Sequence, residues 1–80
     1  MTTTVKTAHN LHTAYHEAGR HMRVFTHGPE ANREAHWEGL FLAHRELRRA
    51  LARERWDTDG ETVMQAESRL ETIEAMLDAE

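Results

Sequence analysis

Histidines at positions 9, 12 and 16 are the residues whose type and spacing could most directly support chemistry. Steps of three and four place them on one side of a helix, where neighbouring imidazoles can chelate Zn²⁺ or Ni²⁺ without cysteine. A further ligand could come from an acidic ridge near the end of the chain, formed by Glu67, Glu71, Glu74 and Asp78. His9, His12 and His16 therefore predict a metal site or a pH-sensitive seam against those carboxylates. The simpler interpretation, which we favour, is a solvated polar flank.

The segment AYHEAG at residues 14–19 joins His16 to Glu17. It resembles the start of the zinc-binding helix in the membrane-anchored AAA+ metallopeptidases and related zincins, where H-E-x-x-H supplies two histidine ligands and a glutamate base. By that resemblance His16 would be the first ligand and Glu17 the base. The second ligand position is Arg20, a fixed cation that cannot bind metal, and His21 lies one residue too late. We therefore expect no peptidase activity.

Apolar residues recur at steps of three and four in three segments, which is the pattern of amphipathic helices. The stripes are Ala8, Leu11, Tyr15, Ala18, Met22 and Phe25; then Trp37, Leu40, His44, Leu47 and Leu51 with Phe41 beside them; then Val63, Ala66, Leu70, Ile73 and Leu77. The pattern predicts helices near residues 5–26, 29–56 and 59–79. Within the second stripe, His44 is expected to be a core-edge histidine with one hydrogen bond, or a polar residue that fixes helix register.

Two short segments separate these helices. Gly28 and Pro29 favour a helix end followed by a helix start, with Gly28 left-handed and Pro29 at the first helical position. Thr58 and Glu61 have the spacing of a capping box. Short loops make neighbouring helices antiparallel, so the sequence predicts an all-α, up-down-up three-helix bundle in a single domain, residues 1–80. The alternative is an extended helical hairpin that dimerises, and residues 1–4 are expected to be disordered.

The composition limits the function further. The chain has 80 residues and a net charge of −4. It has no cysteine, which excludes disulfides and thiolate metal sites. It shows no basic leader followed by an apolar run and no apolar segment of the roughly 20 residues that span a bilayer, so we expect a cytoplasmic protein without membrane contact. Nine arginines against one lysine favour an origin in a high-GC genome. No glycine-rich phosphate loop or catalytic triad is recognisable in the sequence. We therefore expect neither an enzyme nor a cofactor, unless the histidines bind zinc or nickel.

Arginines crowd the end of the second predicted helix. Clustered arginines can neutralise phosphates, which would make the protein a nucleic-acid binder. The residues concerned are Arg45, Arg48, Arg49, Arg53 and Arg55. Residues 57–80 carry eight acidic side chains against one arginine, and we expect this acidic helix to lie beside the cluster and cancel its field. Nucleic-acid binding is therefore the third-ranked function.

Two large apolar residues, Leu42 and Trp56, do not fit the predicted core stripe. With Arg45, Arg49 and Arg53 they define a surface where a foreign protein or a second copy of the chain could dock, because tryptophan and arginine are common at binding hot spots. For Trp56 itself we favour a different place, folded over the turn into the base of the bundle.

The function that these observations favour is binding of another protein. Eighty residues in three helices leave little room for a substrate pocket. We expect a small module that presents a helix face, as an adaptor, regulator or inhibitor of a larger protein, phage-encoded or accessory in a high-GC bacterium. A metal- or pH-responsive helical protein is the alternative, and a homodimer remains open.

Overall fold

The computed structural model describes residues 10–28 and 30–79, and these residues form three α-helices. Helix α1 spans Leu11–His27, α2 spans Arg33–Glu54 and α3 spans Gly60–Asp78. Helix α2 packs against both other helices, which also contact each other, and no strand occurs within the described residues. The predicted all-α three-helix bundle is confirmed.

The helix boundaries agree with the prediction to about one residue, except that α1 begins at Leu11, six residues after its predicted start. Short 3-10 turns, Glu30–Asn32 and Arg55–Asp57, extend α2 at its two ends, so that helical structure covers residues 30–57 against the predicted 29–56. Helix α1 begins at Leu11 because the Asn10 side chain accepts a hydrogen bond from the Thr13 backbone N–H at 2.8 Å, a typical N-cap. The predicted helical residues 5–9, the predicted disorder of 1–4 and the predicted role of Pro29 all lie outside the described residues.

Gly28 ends α1 differently from the prediction. Its backbone is extended, with φ −74° and ψ 167°, and is not left-handed. Its N–H donates to the Val24 carbonyl at 2.7 Å and closes the last turn. A Cβ at this position would lie 2.5 Å from that carbonyl oxygen and 2.7 Å from His36 Nε2. Glycine is therefore required by the nearby backbone of α1 and by the His36 ring of α2, and its conformational freedom is not needed.

The start of α3 is capped one residue later than predicted. The N-cap is Asp59, which accepts from the Thr62 N–H at 3.1 Å and from the Thr62 hydroxyl at 2.8 Å. These hydrogen bonds, that of the hydroxyl foremost, lower the pKa of Asp59. Thr58 instead donates its hydroxyl to the Glu54 carbonyl at 2.8 Å, at the end of α2. The predicted capping box of Thr58 and Glu61 is wrong, because the Thr58 hydroxyl is bound at the end of α2 and Asp59 caps α3 in its place.

The core follows the predicted stripes closely. Its buried residues are Leu11, Ala18, Phe25, Leu40, Ala43, Leu47, Ala50, Leu51, Val63, Ala66, Leu70 and Ile73. The predicted stripes lack only Ala43 and Ala50, which lie four residues before and three residues after Leu47 and so share its side of the helix. Phe41, predicted beside the core, is 43% exposed. It stacks on the half-buried Trp37 ring, with centroids 5.7 Å apart.

Candidate protein-binding face of helix α2

The five residues predicted to bind a partner lie on one side of α2 and of the turn that follows it. This surface, called the outer face below, consists of Leu42, Arg45, Arg49, Arg53 and Trp56, all of them exposed. At about 100° per residue, the five positions fall within about 80° of one another. The middle of this stripe lies about 150° around the helix from the buried side of α2. The outer face therefore points away from the bundle.

The two ends of the outer face are apolar. Leu42 is 46% exposed and Trp56 is 90% exposed. They lie about 21 Å apart along the helix axis, at about 1.5 Å per residue. Leu42 and Trp56 therefore do not form one apolar patch. They border a row of three arginines.

The expectation that Trp56 folds into the base of the bundle is wrong. Trp56 belongs to the 3-10 turn, and the preceding residue, Arg55, turns toward α3, where its Nη2 donates to Glu67 Oε2 at 2.6 Å. Consecutive side chains in such a turn point about 120° apart, so the indole points elsewhere. At this end of the bundle α1 and α2 are joined by a hydrogen bond from the Leu11 N–H to Glu54 Oε1 at 3.1 Å, in which Trp56 takes no part.

Two arginines of the outer face lie close to glutamates of their own helix. Arg49 Nη1 lies 3.6 Å from Glu46 Oε2, and Arg53 Nη2 lies 3.3 Å from Glu54 Oε2. Exposed pairs of this kind stabilise a protein by about 0–1 kcal/mol. Arg49 can therefore exchange its glutamate for an acid of a partner at little cost.

The acidic ridge of α3 lies on a different side of α2. Its member Glu67 accepts from Arg55, and Glu74 Oε2 lies 3.0 Å from His44 Nε2. Arg48 lines the groove between the same two helices, together with these acids. The expected cancellation of positive charge by α3 holds for Arg48 and Arg55. It does not extend to the outer face, which points about 120° away from this groove.

His44 is the core-edge histidine that the sequence predicted. Its side chain is 13% exposed, and its ring nitrogen shares one hydrogen bond with Glu74 across the α2–α3 interface. Because the bond joins two helices, it favours one axial alignment of α2 against α3.

The histidine ridge does not meet the acidic ridge. His12 and His16 are exposed on α1, with ring centroids 4.4 Å apart in an edge-on arrangement, and His9 lies outside the described residues. Within 10–28 and 30–79, no three potential ligands gather closely enough to hold a metal ion. Two of the predicted carboxylates, Glu67 and Glu74, contact side chains of α2 and not His12 or His16. The part of the predicted seam that involves His9 lies outside the described residues.

Glu17, the would-be base of the zincin pattern, is held by Arg20. Arg20 donates to Glu17 Oε1 from Nη2 at 2.5 Å and from Nε at 3.2 Å. This hydrogen bond and the guanidinium charge lower the pKa of Glu17. The residue at the second ligand position thus forms a surface ion pair with the residue at the base position.

A groove between α1 and α2 borders the outer face and was not predicted from the sequence. It encloses about 410 Å³ and is lined by Thr13, Ala14, Glu17, His21, Leu42, Ala43 and Glu46. Leu42 belongs to both the groove and the outer face. Burial, with the neighbouring Arg20 charge, lowers the pKa of His21. Small residues facing each other from two helices, here Ala14 and Ala43, were the signal that could have predicted this groove.

Comparisons with known proteins give no relative for this chain. No family model matches it, and no curated protein or solved structure shows significant similarity to it. Within the described residues, no helix has the length and apolar character needed to cross a membrane. The proposal for function therefore rests on the surface of the bundle alone.

Proposed function

We propose that this protein binds another protein through the outer face of α2 and acts as a small adaptor, regulator or inhibitor of that partner. The observation that carries the proposal is the exposure of Trp56, 90%, at the end of a row of arginines. Tryptophan and arginine are among the residues most enriched at binding hot spots, and both stand here on the exposed side of one helix.

Trp56 would supply most of the binding energy. Burial of a tryptophan removes about 150–250 Å² of surface from water. At about 25 cal/mol per Å² this corresponds to about 4–6 kcal/mol, before the entropic costs of association are subtracted. The partner should therefore offer an apolar pocket for the indole. Acidic groups spaced along a helix or strand would meet Arg45, Arg49 and Arg53 beside it.

An acidic protein surface fits the outer face better than a nucleic acid does. Glu46 lies beside Arg49 on the exposed side of α2 and would face a phosphate backbone at close range. The chain carries a net charge of −4, whereas a basic domain is the usual footprint of nucleic-acid binding. A protein partner can place its acids individually, opposite each arginine, and avoid Glu46.

The proposal is tested by affinity capture from a lysate of the source cells, quantified by mass spectrometry. Four forms are compared: wild type, Trp56→Ala, the double variant Arg49→Glu/Arg53→Glu, and Met64→Ala. Met64 is 69% exposed on α3 and controls for the loss of any exposed apolar side chain. Circular dichroism verifies that each form is helical.

We expect a protein that wild type and Met64→Ala retain equally. Its recovery should fall at least about tenfold, equivalent to about 1.4 kcal/mol, with Trp56→Ala and with the arginine double variant. Equal recovery of every protein with all four forms would contradict the proposal. A steep salt-dependent affinity for a fluorescent DNA duplex, lost with Arg49→Glu/Arg53→Glu but kept with Trp56→Ala, would replace it with the nucleic-acid function.

A further inference from the structure

The exposed stripe of α2 continues beyond the outer face toward the start of the helix, and its charge changes sign there. Ala35 and Glu38 are exposed and lie seven and four residues before Leu42, on the same side of the helix. Glu38 is acidic, whereas the C-terminal half of the stripe carries Arg45, Arg49 and Arg53. The stripe is therefore acidic near the start of α2 and basic near its end.

A stripe with this polarity is complementary to itself when two copies run antiparallel. A two-fold interface uses the same surface on both copies. If residue i of one copy contacts residue j of the other, then residue j of the first contacts residue i of the second. The antiparallel arrangement sets Glu38 of each copy opposite Arg49 or Arg53 of the other, so two opposite-charge contacts form at once. A parallel arrangement would set arginine against arginine, which is repulsive.

The apolar residues of the stripe fit the same arrangement. Leu42 comes near the two-fold axis, where it meets the aliphatic stem of Arg45 or Arg49 of the other copy. Trp56 reaches the start of the other copy's α2, where Ala31 and Ala35 are exposed and small enough to leave room for an indole. Charge and side-chain size therefore both favour the antiparallel pairing.

From this pattern we infer that a second copy of the chain docks on the outer face, with the two α2 helices antiparallel. The inference rests on the proposed function, because it places a second copy of the chain on the same surface, where it would compete with a foreign partner. The stripe from Ala35 to Trp56 is about 32 Å long and one helix wide. Such a contact lies at or below the lower end of the roughly 1,200–2,000 Å² that stable complexes bury. The dimer should therefore be weak, with a Kd of about 10–100 µM, and salt should weaken it further.

Sedimentation velocity with charge-reversed variants tests the inference. The variant Glu38→Arg makes the whole stripe basic. The variant Arg49→Glu/Arg53→Glu makes the stripe acidic near the end of α2. Each variant alone should dimerise at least about tenfold more weakly than wild type, because like charges then face each other. An equimolar mixture of the two should recover a two-chain species, because opposite charges face each other again. Asp78→Arg changes the net charge as Glu38→Arg does, at the exposed end of α3, and should leave the wild-type Kd within about twofold.

Two results would overturn the inference. One is a wild-type chain that stays monomeric up to about 500 µM at low salt. The other is a dimer whose Kd does not respond to Glu38→Arg and that does not re-form selectively in the mixture. Neither result affects the capture of a foreign partner in Trp56→Ala against Met64→Ala, so failure of the dimer and failure of the proposed function are distinguishable.

Discussion

The two sides of α2 use the same kinds of residue in different ways. On the side that faces α3, charged groups meet partners on another helix, as Arg55 meets Glu67 and His44 meets Glu74. On the outer face, Arg49 meets Glu46 one turn away on α2 itself. Contacts between helices fix how the bundle packs. Contacts along one exposed helix contribute little to the fold and leave their groups able to pair with a partner.

The two tryptophans show the same difference. Trp37 is half-buried and stacks on Phe41, whereas Trp56 is 90% exposed. An indole this exposed contributes little to the core, and tryptophan is enriched at binding hot spots. We therefore regard Trp37 as part of the fold and Trp56 as part of an interface.

The largest expected effect comes from shortening leucines on opposite sides of α2. Leu47 is fully buried, so Leu47→Ala should lower the free energy of unfolding by about 2–5 kcal/mol. Leu42 is 46% exposed, and Leu42→Ala should lower it by less than about 1 kcal/mol. Urea unfolding followed by circular dichroism measures both. If Leu47→Ala does not fold, Leu47→Val and Leu42→Val should keep the same order, and equal losses would contradict the assignment of the two sides.

Double-mutant cycles on the ion pairs should give a smaller difference in the same direction. Arg55 and Glu67 join two helices at 2.6 Å, and their coupling free energy should be about 0.5–1 kcal/mol. Arg49 and Glu46 stand one turn apart at 3.6 Å, and their coupling should be about 0.2–0.5 kcal/mol. A stronger coupling for the outer pair would mean that Arg49 belongs to the fold and is not available to a partner.

His21 predicts how stability depends on pH. Burial lowers its pKa in the folded state, with Arg20 adding to the effect and Glu17 opposing it. The unfolded chain then binds the proton more readily than the folded one, so stability should fall as pH drops through the ordinary histidine pKa of about 6.5 toward the lower folded value. The variant His21→Gln should flatten this part of the curve, measured by urea unfolding between about pH 7.5 and pH 5. An unchanged curve would show that the α1–α2 groove does not shield this ring.

Zinc should have the smallest effect. His12 and His16 give two imidazoles with ring centroids 4.4 Å apart. With two ligands binding should be weak, and zinc present at its Kd stabilises by only about 0.4 kcal/mol. The small rise in Tm should disappear in His12→Ala/His16→Ala and with chelator. A rise of more than about 10 °C with micromolar zinc would require further ligands and would favour the metal-responsive alternative.

The bundle was predictable because apolar spacing carries it. Leu40, Leu47 and Leu51 repeat at helical intervals, and the buried side of α2 follows from those intervals alone. The cap at Asp59 was missed by one position because Thr58 and Asp59 are both good N-caps, and only the end of α2 decides which of them is available. Local patterns thus predict helices better than the junctions between them.

The candidate site was predictable in part. The outer face could be predicted because Leu42 and Trp56 break the core stripe at positions that share one side of the helix. The exposure of Trp56 could not be predicted, because it depends on the direction of the neighbouring Arg55 side chain. That side chain points toward Glu67 on α3, and the sequence does not indicate this contact. The contacts of Glu67 and Glu74 with α2 could not be predicted for the same reason. The sequence indicates which face of each helix is apolar, but not how one helix is rotated against another.

The most direct test of the central claim is site-specific photo-crosslinking in source cells. A photoreactive phenylalanine replaces one residue at a time, at Leu42, Arg49 and Trp56 on the outer face and at Met64, Ser68 and Ala75 on the exposed side of α3. The account predicts crosslinks to one defined protein, or to a second copy of the chain, from the three outer-face positions and not from the α3 positions. Crosslinks of equal yield from both sets, or from the α3 set alone, would contradict it.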